Sequence, residues 1–286
     1  LLHSNKKEIQ ILLGLLQRQQ PCFKNGVNMD FDKTIGGYLE NTEWKGRTDI
    51  GCLLNGCRQM YAATQDERYQ KFILQYVEKM SEEWENAFSK TDVTKKINAG
   101  SAWIFAYEKT GEEKYKEYMM GLSRTAEGSL CEEGDHKKLM TGQHLYEVLP
   151  FYMEYETRYH NKAGCNDIVN QLTEMRSGKD AIWYVMALID VLDHMSIEIF
   201  EHYKSLQEIF KKTIKCIPLG GDAKMQKVCM GYAILKACNI GILNPEKYLE
   251  TGRTLIDGAI DEPFDQKDDV SMGIMMMAYA QFIRVM

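Results

Sequence analysis

Met60–Tyr69 reads MYAATQDERY, and Ala106–Tyr115 reads AYEKTGEEKY. Both follow the pattern Tyr-x-x-Thr-x-acid-Glu-basic-Tyr, and Tyr61 and Tyr107 stand 46 residues apart. Each copy reads as the hinge of a helical hairpin, with one helix ending near the first Tyr and the next beginning after the Thr. Thr64-x-x-Glu67 and Thr110-x-x-Glu113 have the form of capping boxes. In such a box the hydroxyl accepts from a backbone N–H three residues on, and the Glu side chain reaches back. Acidic residues in the first turn also suit the positive end of the helix dipole. A period in the forties built from helix pairs implies a stack or closed ring of hairpins.

Outward from the hinges, the chain reads as a succession of helices with almost no strand signal. Lys6–Gln19 is an expected first helix, ended by Gln20-Pro21. Ile9–Leu16 lies within it and carries polar residues at helical spacing and no small-residue cleavage site, so it reads as helix rather than signal peptide. Cys22–Gly46, rich in Gly, Asn and Asp, is expected to be irregular. Further helices are expected at Thr48–Ala63, Asp66–Asn86, Asn98–Lys109 and Glu112–Ser123, with a loop at 125–138. Thr141–His160 reads as a long helix kinked or broken at Pro150, and Asn166–Met175 as a shorter one. Asp180–His194 is apolar nearly all round, the mark of a helix buried on every side. Ser196 is expected to cap Ile197–Cys216. Lys224–Asn239 is again apolar, and Asn244-Pro245 places a cap and a first-position proline on the helix that follows. Asp269–Val285 closes the chain after the acidic pair Asp268-Asp269, with Met275, Met276 and Met277 as core filler.

Apolar helices near 98, 180, 225 and 270 therefore alternate with amphipathic ones. This implies inner helices packed all round and outer helices wet on one face. The expected fold is all-α, an (α/α)6 toroid of roughly twelve helices forming a single domain over 1–286. Its cavity is expected where the inner helices begin.

Composition narrows the partners. The 286 residues carry a formal net charge of −6 and no Lys/Arg cluster, which argues against a nucleic-acid reader. No apolar run approaches the roughly 18 residues that span a bilayer. Eight cysteines without CxxC pairs or zinc-like spacing read as reduced, buried thiols of a cytoplasmic protein. The histidines show no metal-ligand spacing, and no metal or cofactor is expected.

Several of these stretches carry a family likeness. Asp49–Tyr69 and Ile97–Tyr115 resemble the first two inner-helix starts and hinges of the unsaturated rhamnogalacturonyl and glucuronyl hydrolases (glycoside hydrolase families 105 and 88). Leu145–Thr157, Trp183–Met195 and Gly231–Tyr248 resemble later inner helices of the same bacterial six-hairpin toroids. The resemblance implies an Asp that protonates and hydrates the double bond of a 4,5-unsaturated uronic acid. The resulting hemiacetal opens and releases the sugar of a pectin or glycosaminoglycan fragment. A positioned proton donor of this kind contributes about 10²–10⁴-fold.

The chain departs from that pattern at the site. Gln143-His144-Leu145-Tyr146 stands where the family has Asp-Gly-Leu-Tyr, so Gln143 replaces the catalytic aspartate. A Gln has no titratable proton. A second acid before the Ile-Asn-x-Gly stretch is replaced by Lys95 or Lys96. Asp49 lies one residue off the family's Asp-Gly, and one residue turns a helical side chain by about 100°. Lys179 stands for an Arg expected near the substrate carboxylate, keeping the charge and losing the planar fork. Between Met175 and Trp183 only seven residues remain where the family carries a long insert. The candidate replacement acids are Asp49 and His144. The candidate sugar contacts are Trp44, Gln143, Tyr146, Lys179 and Trp183. The expected partner is a uronic-acid-containing oligosaccharide, met either by a divergent hydrolase or by a non-catalytic descendant that binds glycan or another protein.

Overall fold

The computed structural model describes residues 27–43, 50–82, 93–129, 141–174, 180–217, 224–260 and 268–285. Among these residues the chain forms thirteen helical segments and no strand. In chain order they are α1 (Val27–Asn41), α2 (Gly51–Thr64), α3 (Glu67–Glu82), α4 (Val93–Asn98) and α5 (Gly100–Thr110). Then come α6 (Glu113–Ser129), α7 (Gly142–Tyr159), α8 (Cys165–Glu174) and α9 (Ala181–His194). The last are α10 (Phe200–Cys216), α11 (Lys224–Asn239), α12 (Pro245–Ile260) and α13 (Asp269–Arg284). Helices α4 and α5 are one helix stepped at Ala99, so the chain alternates outer and inner helices through six pairs.

The inner helices α2, α5, α7, α9, α11 and α13 each pack on the next, and α13 returns to pack on α2. The architecture is an (α/α)6 toroid. Each inner helix is followed by an outer one that carries the chain back, so all six inner helices run the same way. Their N-termini form one mouth of the ring and their C-termini the other.

Burial follows the periodicity. In α13, Met275, Met276 and Met277 are all core. The outer helix α3 buries only Tyr69, Phe72, Ile73, Tyr76, Val77 and Met80, one face at helical spacing. The ring closes through a backbone approach. A Cβ added at Gly273 would stand 2.2 Å from the carbonyl carbon and oxygen of Cys52, and one at Gly56 would stand 2.8 Å from the Gly273 carbonyl oxygen.

The duplicated hinges are superimposable in their bonding, though not as capping boxes. Thr64 is the last residue of α2. Its hydroxyl donates to Met60 O (2.7 Å) and accepts from Asp66 N (3.2 Å), two residues on rather than three. Thr110 does the same with Ala106 O (2.9 Å) and Glu112 N (3.2 Å). The reason is the residue that follows: Gln65 (φ 59°) and Gly111 (φ 72°) are left-handed and turn the chain back at once, so each Thr still sits on the helix it ends. Asp66, not Thr64, caps α3 by accepting from Arg68 N.

The last two letters of the repeat tie adjacent outer helices together. Arg68 and Tyr69 reach Asp32 of α1, and Lys114 and Tyr115 reach Glu78 of α3. Asp32 and Glu78 are again 46 residues apart, so α1 is the outer helix of the preceding pair. This corrects the irregular segment expected at 22–46. Gly36-Gly37 reads as a breaker, yet Phe31, Ile35 and Tyr38 recur at helical spacing and pack on the core.

Other boundaries also move. Helix α6 runs on to Ser129, past the expected loop start. Helix α7 runs through Pro150 without a break. Helix α10 begins at Phe200, three residues beyond the expected start, and Ser196 Oγ accepts from Glu198 N in the turn before it. Asp268 caps α13 as the acidic start implied. All six described cysteines are free thiols, and Cys216 alone among them is exposed. The expected first helix at 6–19 lies outside the described residues. No helix among the described residues is long and apolar enough to cross a membrane.

Gly273→Ala is expected to cost about 1–3 kcal/mol, since the added methyl meets backbone that cannot rotate away. Gly37→Ala, with nothing within 4 Å of its Cβ, is expected to stabilise by about 0.5–1 kcal/mol. Urea unfolding of the two variants checks the pair, and equal effects would rule out a backbone-tight closure.

Candidate functional site

The first turns of the inner helices bring several of the expected site residues together. Thr141 caps α7, its hydroxyl accepting from His144 N at 3.3 Å. Gln143 is exposed in that first turn, and its amide donates to Glu147 Oε1 at 2.9 Å, one turn further along the same face. Glu147 is 6% exposed, and its other oxygen takes the hydroxyl of Thr94 from α4. His144 is half-buried and, one residue on, faces about 100° away from Gln143. Tyr146 is buried, with its hydroxyl donating to Met277 Sδ (3.6 Å), and its ring lies 5.3 Å from that of half-buried Trp183. Asp49, Trp44 and Lys179 lie outside the described residues.

Behind this group sits Cys52. Burial pushes its thiol up to about 12, Asn98 opposes the shift by donating to the sulfur, and the carboxylates of Glu147 and Asp268 reinforce it. Glu147 therefore belongs to a converging set from α2, α4, α7 and α13. It went unnoticed in the sequence, although its signal is visible: an acid one turn after Gln143 and two turns before Glu154, on the buried face of α7.

A second polar constellation lies toward the opposite mouth, where the inner helices end. It encloses a cavity of about 240 Å³. Arg58 of α2 grips Glu154 of α7 through its two terminal guanidinium nitrogens. Glu154 also accepts from Ser101 (3.1 Å), lies 3.2 Å from Arg158, and is approached by His194 Nε2 at 3.7 Å. On the far wall Lys236 of α11 sits 2.9 Å from Asp190 and 2.8 Å from Asp193, both on α9, and Tyr232 donates to Asp190. A relay of side-chain amides joins the walls: Asn239 donates to Gln281 (2.8 Å), Gln281 to Gln59 (2.8 Å), and Gln59 to Tyr232 (2.9 Å). Asp190, Glu154 and Lys236 are each nearly inaccessible, so each needs the partner it has.

Burial alone would raise the Glu154 carboxyl, but the charges of Arg58 and His194 outweigh it and hold the group well below the usual carboxylate range. Burial likewise opposes Lys236 in holding Asp193, which still falls to about 2. His194 is lowered, chiefly by burial, with Glu154 and Asp193 pulling the other way. Among the described residues no group of three His, Cys, Asp or Glu is placed to hold a metal ion.

The comparisons with known proteins agree with this frame. The chain matches the Glycosyl Hydrolase Family 88 profile over residues 31–179, slightly more than half its length. Two crystal structures, each of a possible member of the GH105 family, have the same fold. One is from Salmonella enterica serovar Paratyphi A, with TM-score 0.72, 13% identity, and 93% of this chain and 96% of that one covered. The other is from Klebsiella pneumoniae, with TM-score 0.71, 13% identity and the same coverages. A glycosyl hydrolase family 88 structure from Bacteroides vulgatus aligns with TM-score 0.66 and 13% identity over 83% of this chain and 92% of that one. No curated protein sequence matches the chain. The protein belongs to glycosyl hydrolase family 88.

The second constellation makes stability pH-dependent in one direction. A His that prefers to stay neutral in the fold takes up its proton more readily once unfolded, so stability falls as pH drops below about 6.5. Depressed carboxylates hold their contribution above pH ~4 and lose it as pH falls toward their folded values. The melting temperature is therefore expected to fall in two stages on acidification, and His194→Gln to remove the upper stage alone. At pH 7, Glu154→Gln, which strands Arg58, is expected to cost about 3–5 kcal/mol by denaturant titration. A flat melting profile from pH 7 to 5 would contradict the placement of His194.

Proposed function

We propose that the protein binds uronic-acid-ended oligosaccharides at the mouth formed by the N-termini of its inner helices, and that it no longer hydrates their 4,5-unsaturated bond. Family membership supports a carbohydrate ligand. Six helix N-termini around one opening favour a bound carboxylate, each carrying about half a positive charge. Trp183, backed by Tyr146, offers a half-buried aromatic face for a sugar ring.

The observation that carries the loss of hydration is Gln143. By the sequence resemblance it stands at the family's acid position, and its amide donates to Glu147. Glu147, the acid beside it, is buried and has both oxygens engaged, one by the Gln143 amide and one by the Thr94 hydroxyl. A second reading, an active unsaturated uronyl hydrolase with Asp49 or His144 as the donor, draws on the half-buried imidazole next to Gln143.

The two readings separate with an unsaturated uronyl disaccharide and the ultraviolet absorbance of its conjugated ene-carboxylate. The wild type is expected to bind the disaccharide by calorimetry and leave the absorbance unchanged. Gln143→Asp places a carboxylate against Glu147. Like charges so close raise one carboxyl pKa, and the retained proton is expected to restore bleaching by about 10²-fold or more. Bleaching by the wild type that is lost in Asp49→Ala or His144→Ala would establish the second reading. No binding by the wild type would reject both.

A further inference from the structure

The cavity at the C-terminal mouth is remote from the family site and is built as a binding site in its own right. Its walls come from α2, α5, α7, α9, α11 and α13, so it lies on the ring axis. At about 240 Å³ it far exceeds the roughly 30 Å³ share of one bulk water. It also falls below the roughly 300–1,000 Å³ of sites for drug-sized ligands. It is large enough to seat one small ring.

The chemistry of the buried walls selects against ions. Arg58 is matched to Glu154, Arg158 to Glu108, and Lys236 to both Asp190 and Asp193, while Arg284 lies exposed at the rim. An anion would have to compete with carboxylates already seated on these cations, and a cation with the cations already seated on the carboxylates. Neutral hydroxyls meet no such competition, because the pairs leave directional capacity unused. The Arg58 fork engages Glu154 through two of its five N–H groups. Asp190 Oδ1 takes both Tyr232 and Lys236, leaving Oδ2 with no partner among the described residues, on a residue only 6% exposed. The side-chain oxygen of Asn55 is likewise without a partner among the described residues, and its amide makes only a 3.5 Å contact to Asn98. Donors on α2 thus face an open acceptor on α9. Neighbouring hydroxyls of a polyol, each both donor and acceptor, complement that arrangement. Pro150 and Ala62 add an apolar patch to the lining for the C–H side of a ring.

We infer that this cavity is a second carbohydrate site, taking one uncharged monosaccharide-sized polyol, separate from the N-terminal mouth. Nothing in the inference depends on whether the mouth is catalytic, or on whether it binds uronyl oligosaccharides at all.

The test uses calorimetry with D-glucose, D-galactose, L-rhamnose and D-galacturonate as probes on the wild type, Ala62→Trp, Asn55→Leu and Trp183→Ala. Ala62→Trp fills the cavity from its rim, and Asn55→Leu removes one polar contact with little change in volume. At least one neutral sugar is expected to bind the wild type more tightly than galacturonate. Its binding is expected to weaken by about tenfold or more in both cavity variants and to be unchanged in Trp183→Ala. Melting temperatures report folding, and if Ala62→Trp melts early, Asn55→Leu decides. No binding by any neutral sugar, binding that survives in Asn55→Leu, or loss in Trp183→Ala alone would overturn the inference. Failure of the unsaturated disaccharide to bind, with the neutral sugar retained, would count against the N-terminal mouth only.

Discussion

A ring of helices exists only if its two ends meet, and here they meet through bare backbone. Gly56 and Gly273 let α2 and α13 approach until the carbonyl of Cys52 lies where a side chain on residue 273 would begin. The contact joins elements more than two hundred residues apart in sequence, so its entropic cost is set by nearly the whole chain, although that cost grows only logarithmically with loop length. What repays it is the apolar surface of every inner helix, which has neighbours on both sides only once the ring is shut. Closure also brings Gln281 of α13 to Gln59 of α2 and completes the amide relay across the second mouth.

The repeat made the frame legible, because a helical hairpin is a local structure and its hinge is written in a few consecutive residues. The left-handed turn, the Thr on the preceding carbonyl and the basic-Tyr pair at the next helix all lie within Tyr61–Tyr69 and recur at Tyr107–Tyr115. Even so, the capping box was misassigned. The sequence pattern records which residues cap, whereas the φ of Gln65 decides which helix the Thr belongs to. Helix α1 was missed for a different reason. Its glycines lower helix propensity by up to about 1 kcal/mol each, and packing of Phe31 on Tyr279 and of Asp32 on Arg68 outweighs that local preference.

The second constellation was illegible for a reason that generalises. Asp190 sits within Ala187–Leu192 and Lys236 within Ala233–Cys238, single charges in apolar helices that read as minor blemishes on a core pattern. Once those helices are known to be inner and buried on all sides, each such charge demands a partner. The decisive partners are on other helices: Arg58 with Glu154, Lys236 with Asp190. Helical spacing finds Glu154 with Arg158, but Arg58 with Glu154 and Lys236 with Asp190 become pairs only in the ring.

The two mouths then differ in kind because the inner helices share one direction. Carbonyl ends converge where Arg58, Arg158, Lys236 and Arg284 are found, and cations there offset the negative ends of the dipoles. Glu154, Asp190 and Asp193 pair with Arg58, Arg158 and Lys236, and Arg284 stands exposed at the rim. At the other mouth the amide ends converge, and their dipoles favour a bound anion. There the Gln143 amide donates to Glu147 one turn along α7. The shared direction of the inner helices therefore divides the ring into an end whose dipoles favour anions and an end where buried charges must be paired.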